Sequence, residues 1–370
     1  MAQGSLIVCN AGTISRPVSR ANGFVGLFEG GGRFAAGCKE LRLCAGKEGL
    51  KRTRFSARAS MEEFLKVDGT KKIGVDSKVW LNLIDAELQR GNEKQALELA
   101  KQLRAFGAAQ LVPQRAYTLE ELRLNKIEAE KFLSPVDSTL GSIRGNLQVA
   151  AVLLGVTTWR VLDLNQYQLL SAVVLFVFLG TVDQIANGGG VEALLLDTIG
   201  RLLSEKYRDR VAKHEAGHFL VAYLMGFMPK SYTLSSLDAF QRFGALNVQA
   251  GTTFIDFEFQ EEVQGGKVSS GTLDKVSCIA LAGVATEYIL YGVAEGGLSD
   301  INQLDELMKI LGFTQRKADS QVRWAVLNTV SILRRHLNLH SKLANFMSAG
   351  KSVLECVGLI EEELADSSNI

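Results

Sequence analysis

Histidine, cysteine and proline are all scarce in this 370-residue chain, with four, five and four residues respectively. Three of the cysteines, Cys9, Cys38 and Cys44, fall in the first 60 residues, leaving only Cys278 and Cys356. Two distant cysteines and no C-x-x-C pair exclude a disulfide framework, a zinc knuckle and a dithiol redox centre. An excess of charge of one sign is also missing. With 41 Lys/Arg against 40 Asp/Glu the chain carries net +1, which gives no support to nucleic-acid binding. A phosphate loop of the form G-x-x-x-x-G-K-[ST] is absent. Gly350-Lys351-Ser352 has its last three letters, but Asn345 stands where the first glycine belongs. Intrinsic ATP hydrolysis is therefore not expected.

Against that scarcity, two of the four histidines lie four residues apart in His214-Glu215-Ala216-Gly217-His218. On a helix, positions i and i+4 share a face, so both imidazoles can reach one metal ion. Glu215 projects about 100° around the axis, where a carboxylate can take a proton from activated water. No proline interrupts Tyr207 to Met225, and Gly226 and Pro229 then supply stop signals. Val211, His214, His218, Val221, Ala222 and Met225 recur at helical spacing, so a helix with the histidines on its apolar stripe is predicted. His336 and His340 repeat the spacing without an intervening glutamate and between basic flanks, which reads as an ordinary helix face.

Three segments in order resemble the peptidase domain of the FtsH family of membrane-bound zinc metalloproteases. They are Val211-Ala212-Lys213 running into the His214–His218 motif and Phe219-Leu220-Val221-Ala222; the small-residue stretch Ile279 to Glu287; and Gly296-Gly297-Leu298-Ser299-Asp300-Ile301. The resemblance spans about residues 205–312. It implies that His214 and His218 bind Zn2+, that Glu215 is the general base, and that Asp300 is the third ligand. A catalytic zinc needs three protein donors and one open position, and it accepts either carboxylate, so Glu287 competes with Asp300. Glu287 could instead orient a metal-bound histidine from behind. Ser299 is the expected N-cap of the helix that Asp300 begins. The family normally places an ATPase module before the peptidase, and the few tens of residues between the apolar segments and His214 leave no room for one. Ser299 also replaces the family's usual asparagine, and Asp305 a threonine.

Residues 1–60 hold ten Lys/Arg against three acids, a surplus of seven positive charges, so the remainder carries −6. This stretch is rich in Ser, Ala and Gly and has no long apolar region. It reads as an organelle transit peptide, with plastid favoured over mitochondrion because plant lineages contain FtsH-like proteins of reduced architecture. Residues 60–145 read as helical and soluble, with a hairpin turning at Gly91-Asn92 and a further helix from a Thr118/Glu121 capping box to about Ser134. Two apolar runs follow, Leu147–Trp159 and Tyr167–Val182, each shorter than the ~20 residues of a standard spanning helix. A tight hairpin would put Arg144 and the Arg201/Lys206/Arg208 cluster on one side, as the positive-inside rule prefers. Short strands are predicted at Ser231–Leu234 and Thr253–Phe259.

The expected architecture is mainly α with a small β element. An FtsH-type, zincin-like peptidase domain (191–370) sits behind a short membrane hairpin (147–185), a helical soluble region (60–145) and a transit peptide (1–55). The expected activity is zinc-dependent hydrolysis of peptide bonds in organellar, above all chloroplast membrane, proteins. Expected partners are protein substrates, a membrane, and either FtsH-family ATPase proteases or further copies of the chain. A non-proteolytic scaffold for FtsH complexes is the first alternative. A site-2-type intramembrane protease is the second, opposed by the charged run Glu205–Arg210 just before the motif.

Overall fold

The computed structural model describes residues 77–244, 250–255 and 257–366; the expected transit segment 1–55 lies outside them. Helices α1 (Ser77–Gln89) and α2 (Glu93–Ala100) form the predicted hairpin, turning through Gly91 at φ +75°. The Thr118/Glu121 capping box is present and opens α3 (Leu119–Leu124). The single helix expected from there to Ser134 is instead two. Lys126 takes φ +58°, the Asn125 side chain caps the Glu121 carbonyl, and α4 (Ala129–Leu133) resumes beyond. The break drops Ile127 into the core, where it is fully buried.

Helices α5 (Ser138–Val161) and α6 (Gln166–Ala186) follow one another through a short turn as the expected hairpin segment, and neither buries a residue; Val174, Leu175, Phe176 and Phe178 are all exposed. Both are long and apolar enough to cross a membrane. At 1.5 Å per residue the 21 residues of α6 extend about 31 Å, close to the hydrocarbon thickness of a bilayer. These helices exceed the apolar runs because each continues into polar ends: Ser142, Arg144 and Asn146 on α5, Asp183 and Gln184 on α6. The turn is closed by an Asn165/Gln168 capping box, and the Trp159 indole donates to the Leu164 carbonyl at 3.0 Å.

From the hairpin the chain passes through α7 (Gly190–Leu203) into α8 (Glu205–Met225), which carries the histidine pair. The Ser204 hydroxyl caps α8 by accepting from Tyr207 N. At the far end Gly226 takes φ +86°, with Gly226 N donating to Tyr223 O and Phe227 N to Ala222 O, the Schellman arrangement that only a residue tolerant of positive φ completes easily. From His214 to Met225 every side chain of α8 is buried, so this is a central helix covered on all sides. Around it pack α11 (Ser270–Ala280), α12 (Ala282–Tyr291), α14 (Gln315–Arg335) and α15 (Leu337–Ser348). Gly217 lets α8 and α12 approach closely, since a methyl there would overlap the Thr286 hydroxyl.

Residues 77–133 do not form a separate core. Ile84, Leu122, Ile127 and Phe132 belong to the same buried cluster as Phe219 and Tyr223 of α8. Glu361 on α16 (Val353–Asp366) ties the two regions, accepting Arg104 N and Ala105 N at 3.0 Å and the Tyr223 hydroxyl at 2.6 Å.

The β element is a two-stranded antiparallel sheet, β1 (Met228–Thr233) and β2 (Gly251–Ile255), with α9 (Ser236–Phe243) between them in sequence. The register slips between Pro229 and Ser231, where a residue without an N–H interrupts the ladder. The expected strand to Phe259 stops at Ile255, which pairs with Met228, the first residue of β1. Beyond that there is no partner, and Phe257 opens α10 (Phe257–Gln264), burying Phe259 from a helix. Ser299 is likewise not an N-cap. Gly297, at φ +86°, caps α13 (Leu298–Ile310) two residues earlier than the capping rule suggests.

Candidate metal centre

His214 and His218 face Asp300 across the contact between α8 and the start of α13. His214 Nε2 lies 3.1 Å from His218 Nε2 and 3.2 Å from Asp300 Oδ2, and His218 Nε2 lies 3.4 Å from the same oxygen. All three residues are buried, and they form a group able to hold a metal ion. The spacing fits the chemistry. A tetrahedral ion with bonds of about 2.0–2.1 Å separates its donors by roughly 3.3 Å.

Hydrogen bonds behind the rings fix which nitrogens face the centre. His218 Nδ1 is 2.8 Å from the Ile279 carbonyl, which can only accept, so Nδ1 carries the proton. His214 Nδ1 donates to Glu287 Oε1 at 2.7 Å. In the neutral rings both Nε2 lone pairs therefore point at each other and at a carboxylate, an arrangement that a proton or a metal ion between them satisfies. Burial opposes the charged form of His214, but hydrogen bonds to Asp300 and Glu287 outweigh it and hold its pKa well above the ordinary value. Burial would raise Asp300 and Glu287, yet hydrogen bonds from the histidines hold Asp300 below the usual carboxylate range. Hydrogen bonding to His214 and the backbone N–H groups of Glu295 and Gly296 do the same for Glu287.

Glu287 thus stands behind His214, not at the converging point. Both of its oxygens are engaged, one with His214 and the other with Glu295 N at 2.8 Å. Replacement by Gln keeps the shape but removes the charge that strengthens the imidazole as a donor, and metal affinity should fall by roughly 10–100-fold. Competition with a chromophoric chelator measures this. If Glu287 were a direct ligand, Asp300→Ala would leave binding intact, and the two variants separate the cases.

Glu215 is buried and lines the same cavity, of about 360 Å³, as His214 and Asp300. Its Oε2 accepts from the Thr252 hydroxyl of β2 at 3.0 Å. Burial raises its pKa, with the charges of His218 and His214 pulling the other way, which moves the carboxylate toward the range useful to a general base. The foot of the apolar hairpin also lines the cavity, through Asp137, Leu140, Gly141 and Arg144.

No family model, curated protein or solved structure matches this chain.

The glycines of the three segments have a steric reason. Gly283 lies flat against the His214 ring, where a methyl would overlap Nε2, Cδ2 and Cε1. Gly297 packs on Val284 and on the His214 ring edge. The second histidine pair plays no part. His340 is fully buried and bonds the Lys213 carbonyl at 2.8 Å, while His336 sits at the junction of α14 and α15. Sequence reasoning passed over Thr252 and Arg210. Nothing around Thr252 signals its role, but Arg210 precedes His214 by four residues and so shares its helical face.

Proposed function

We propose that this chain is a zinc-dependent metalloendopeptidase with a zincin-like catalytic helix, similar in its site to the FtsH peptidases. The convergence of His214, His218 and Asp300 at 3.1–3.4 Å beside the buried carboxylate of Glu215 carries this reading. When bound, the ion supplies Lewis acidity, polarising the scissile carbonyl and acidifying water. Glu215, held by Thr252, accepts the proton of the attacking water and delivers it to the departing amine. Glu287 and the Ile279 carbonyl keep both imidazoles turned with Nε2 inward. An extended substrate would pair its backbone with an edge of the two-stranded sheet beside the site. Recognition through main-chain hydrogen bonds favours broad specificity.

The location that fits is an organellar membrane, the chloroplast first and the mitochondrion second, with α5 and α6 as anchor and the peptidase domain on the stromal or matrix side. Partners would be membrane protein substrates together with an FtsH-family ATPase or further copies of this chain. An intramembrane site of the site-2 kind is disfavoured because α8 opens with Glu205–Arg210 and follows the two apolar helices rather than belonging to them.

The test is cleavage of casein by the full chain in detergent with zinc and without nucleotide. The expected result is cleavage that a chelator abolishes and added zinc restores. Zinc-loaded protein that leaves casein intact contradicts the reading.

A further inference from the structure

The foot of the apolar hairpin is bonded to the loop that shapes the metal site, through Glu295. Its Oε1 accepts from the Ser138 hydroxyl at 2.8 Å. Its Oε2 accepts from the Thr139 hydroxyl at 2.5 Å and the Thr139 amide at 3.3 Å. Val136 N adds a backbone bond to the Ala294 carbonyl at 3.3 Å. All of these contacts lie in the first turn of α5 or just before it.

On its other side Glu295 faces the site. Its Oε1 is 2.5 Å from Arg210 Nη1, and Arg210 Nε is 3.7 Å from Glu287 Oε2. Arg210 is 7 % exposed, and its Nε and Nη1 find no aligned hydrogen-bond acceptor; the two carboxylates balance its charge by proximity, and its guanidinium lies 4.3 Å from the Tyr291 ring centre. Glu295 N also donates directly to Glu287, which holds His214. Two residues further on, Gly297 packs on the His214 ring and starts the turn that presents Asp300. A shift of this loop therefore reaches one imidazole and one carboxylate of the donor set together.

We propose that Glu295 is a positioning residue that couples the seating of the α5–α6 hairpin to the metal centre. This rests on reading His214, His218 and Asp300 as a metal site. With α5 seated, the Ser138 and Thr139 hydroxyls hold Glu295, which holds Arg210 and the 294–297 loop, and His214 and Asp300 stay in register. With α5 displaced, Glu295 loses three hydrogen bonds and its carboxylate keeps only its contact with Arg210, so the 294–297 loop is free to shift and the donor set loosens. Zinc affinity then reports whether the hairpin is in place, a property suited to a peptidase that must be active only where it is anchored.

The experiment is zinc titration of the full chain in lipid nanodiscs against a chromophoric chelator, with the Co2+ d–d spectrum as a second readout of ligand geometry. Removing the foot hydroxyls in Ser138→Ala/Thr139→Val is expected to weaken zinc binding about 10-fold or more and to alter the Co2+ spectrum, as losses behind metal ligands do. Glu295→Gln should act in the same direction. The hydroxyl-retaining pair Ser138→Thr/Thr139→Ser should restore wild-type affinity. Glu192→Gln, which breaks the separate Arg144–Glu192 contact at 3.0 Å between α5 and α7, should leave affinity unchanged. Should Glu295→Gln fail to fold, the foot variants alone decide, with thermal melting as the check on folding. Wild-type affinity in a folded Ser138→Ala/Thr139→Val chain overturns the coupling while sparing the metal site. Absence of zinc binding by the unmodified chain overturns both.

Discussion

Replacing Glu215 by Gln should cut peptide hydrolysis by about 10²–10⁴-fold while leaving metal binding unchanged. The two effects separate because Glu215 is not one of the three converging donors. It lies in the same cavity and bonds Thr252 instead. The amide keeps the volume of the carboxylate and can still accept from the Thr252 hydroxyl, so the buried site keeps its packing. What disappears is the ability to take up a proton. The reduced turnover should show no recovery at any pH, since an amide does not titrate near neutrality. Steady-state cleavage of a fluorogenic peptide, run beside a chelator titration, measures both quantities on one sample. A variant that still cleaves at the wild-type rate would show that another group carries the proton.

A single methyl at Gly283 should remove the metal. The added carbon would overlap three atoms of the His214 ring, including Nε2, the nitrogen that faces Asp300. The ring has little room to yield, because Glu287 holds Nδ1 at 2.7 Å and Gly297 packs on its edge. Either the ring leaves the site or α12 moves away from α8, and both options disrupt the donor set. We expect loss of most zinc binding and a fall in stability of about 1–3 kcal/mol, the usual cost of overpacking. Chelator competition and denaturant unfolding of Gly283→Ala measure these effects. Wild-type zinc affinity in this variant would mean that His214 is not a ligand.

The parts of this site that could be read in the sequence were those written in local periodicity. The i, i+4 histidines, the uninterrupted stretch before Gly226 and the Thr118/Glu121 capping box are short-range signals, and each appears in the structure where it was expected. Asp300 also takes the position the glycine-rich turn implied, although by way of Gly297 as cap instead of Ser299. The membrane-length helices were underestimated because hydropathy sees only their apolar middles, whereas backbone hydrogen bonding continues into Ser142–Asn146 and Asp183–Gln184. The strand at Thr253–Phe259 misled because alternating Ile255, Phe257 and Phe259 look alike on a strand and at a strand–helix junction. The missing information was that β1 offers no partner past Met228. Thr252, Glu295 and the division of labour between Asp300 and Glu287 depend on contacts between residues far apart in the chain, and no local pattern encodes those.

The unity of the core belongs with these non-local features. Residues 60–145 read as a helical soluble region set apart from 191–370, yet Ile84 and Phe132 share one apolar cluster with α8, and Glu361 bonds both regions. The histidine-bearing helix α8 is thus braced by chain segments on both sides of α5 and α6, which keeps its histidines fixed.

Metal titration of the full chain with Co2+ and Zn2+, in wild type and in His218→Ala and Asp300→Ala, tests the three-donor centre most directly. One metal ion per chain is expected in the wild type, with a low-coordinate Co2+ spectrum of nitrogen and oxygen donors. Binding should fall by orders of magnitude in both variants. A wild-type chain that takes up no ion, or variants that bind as well as wild type, would contradict a metal centre built from His214, His218 and Asp300.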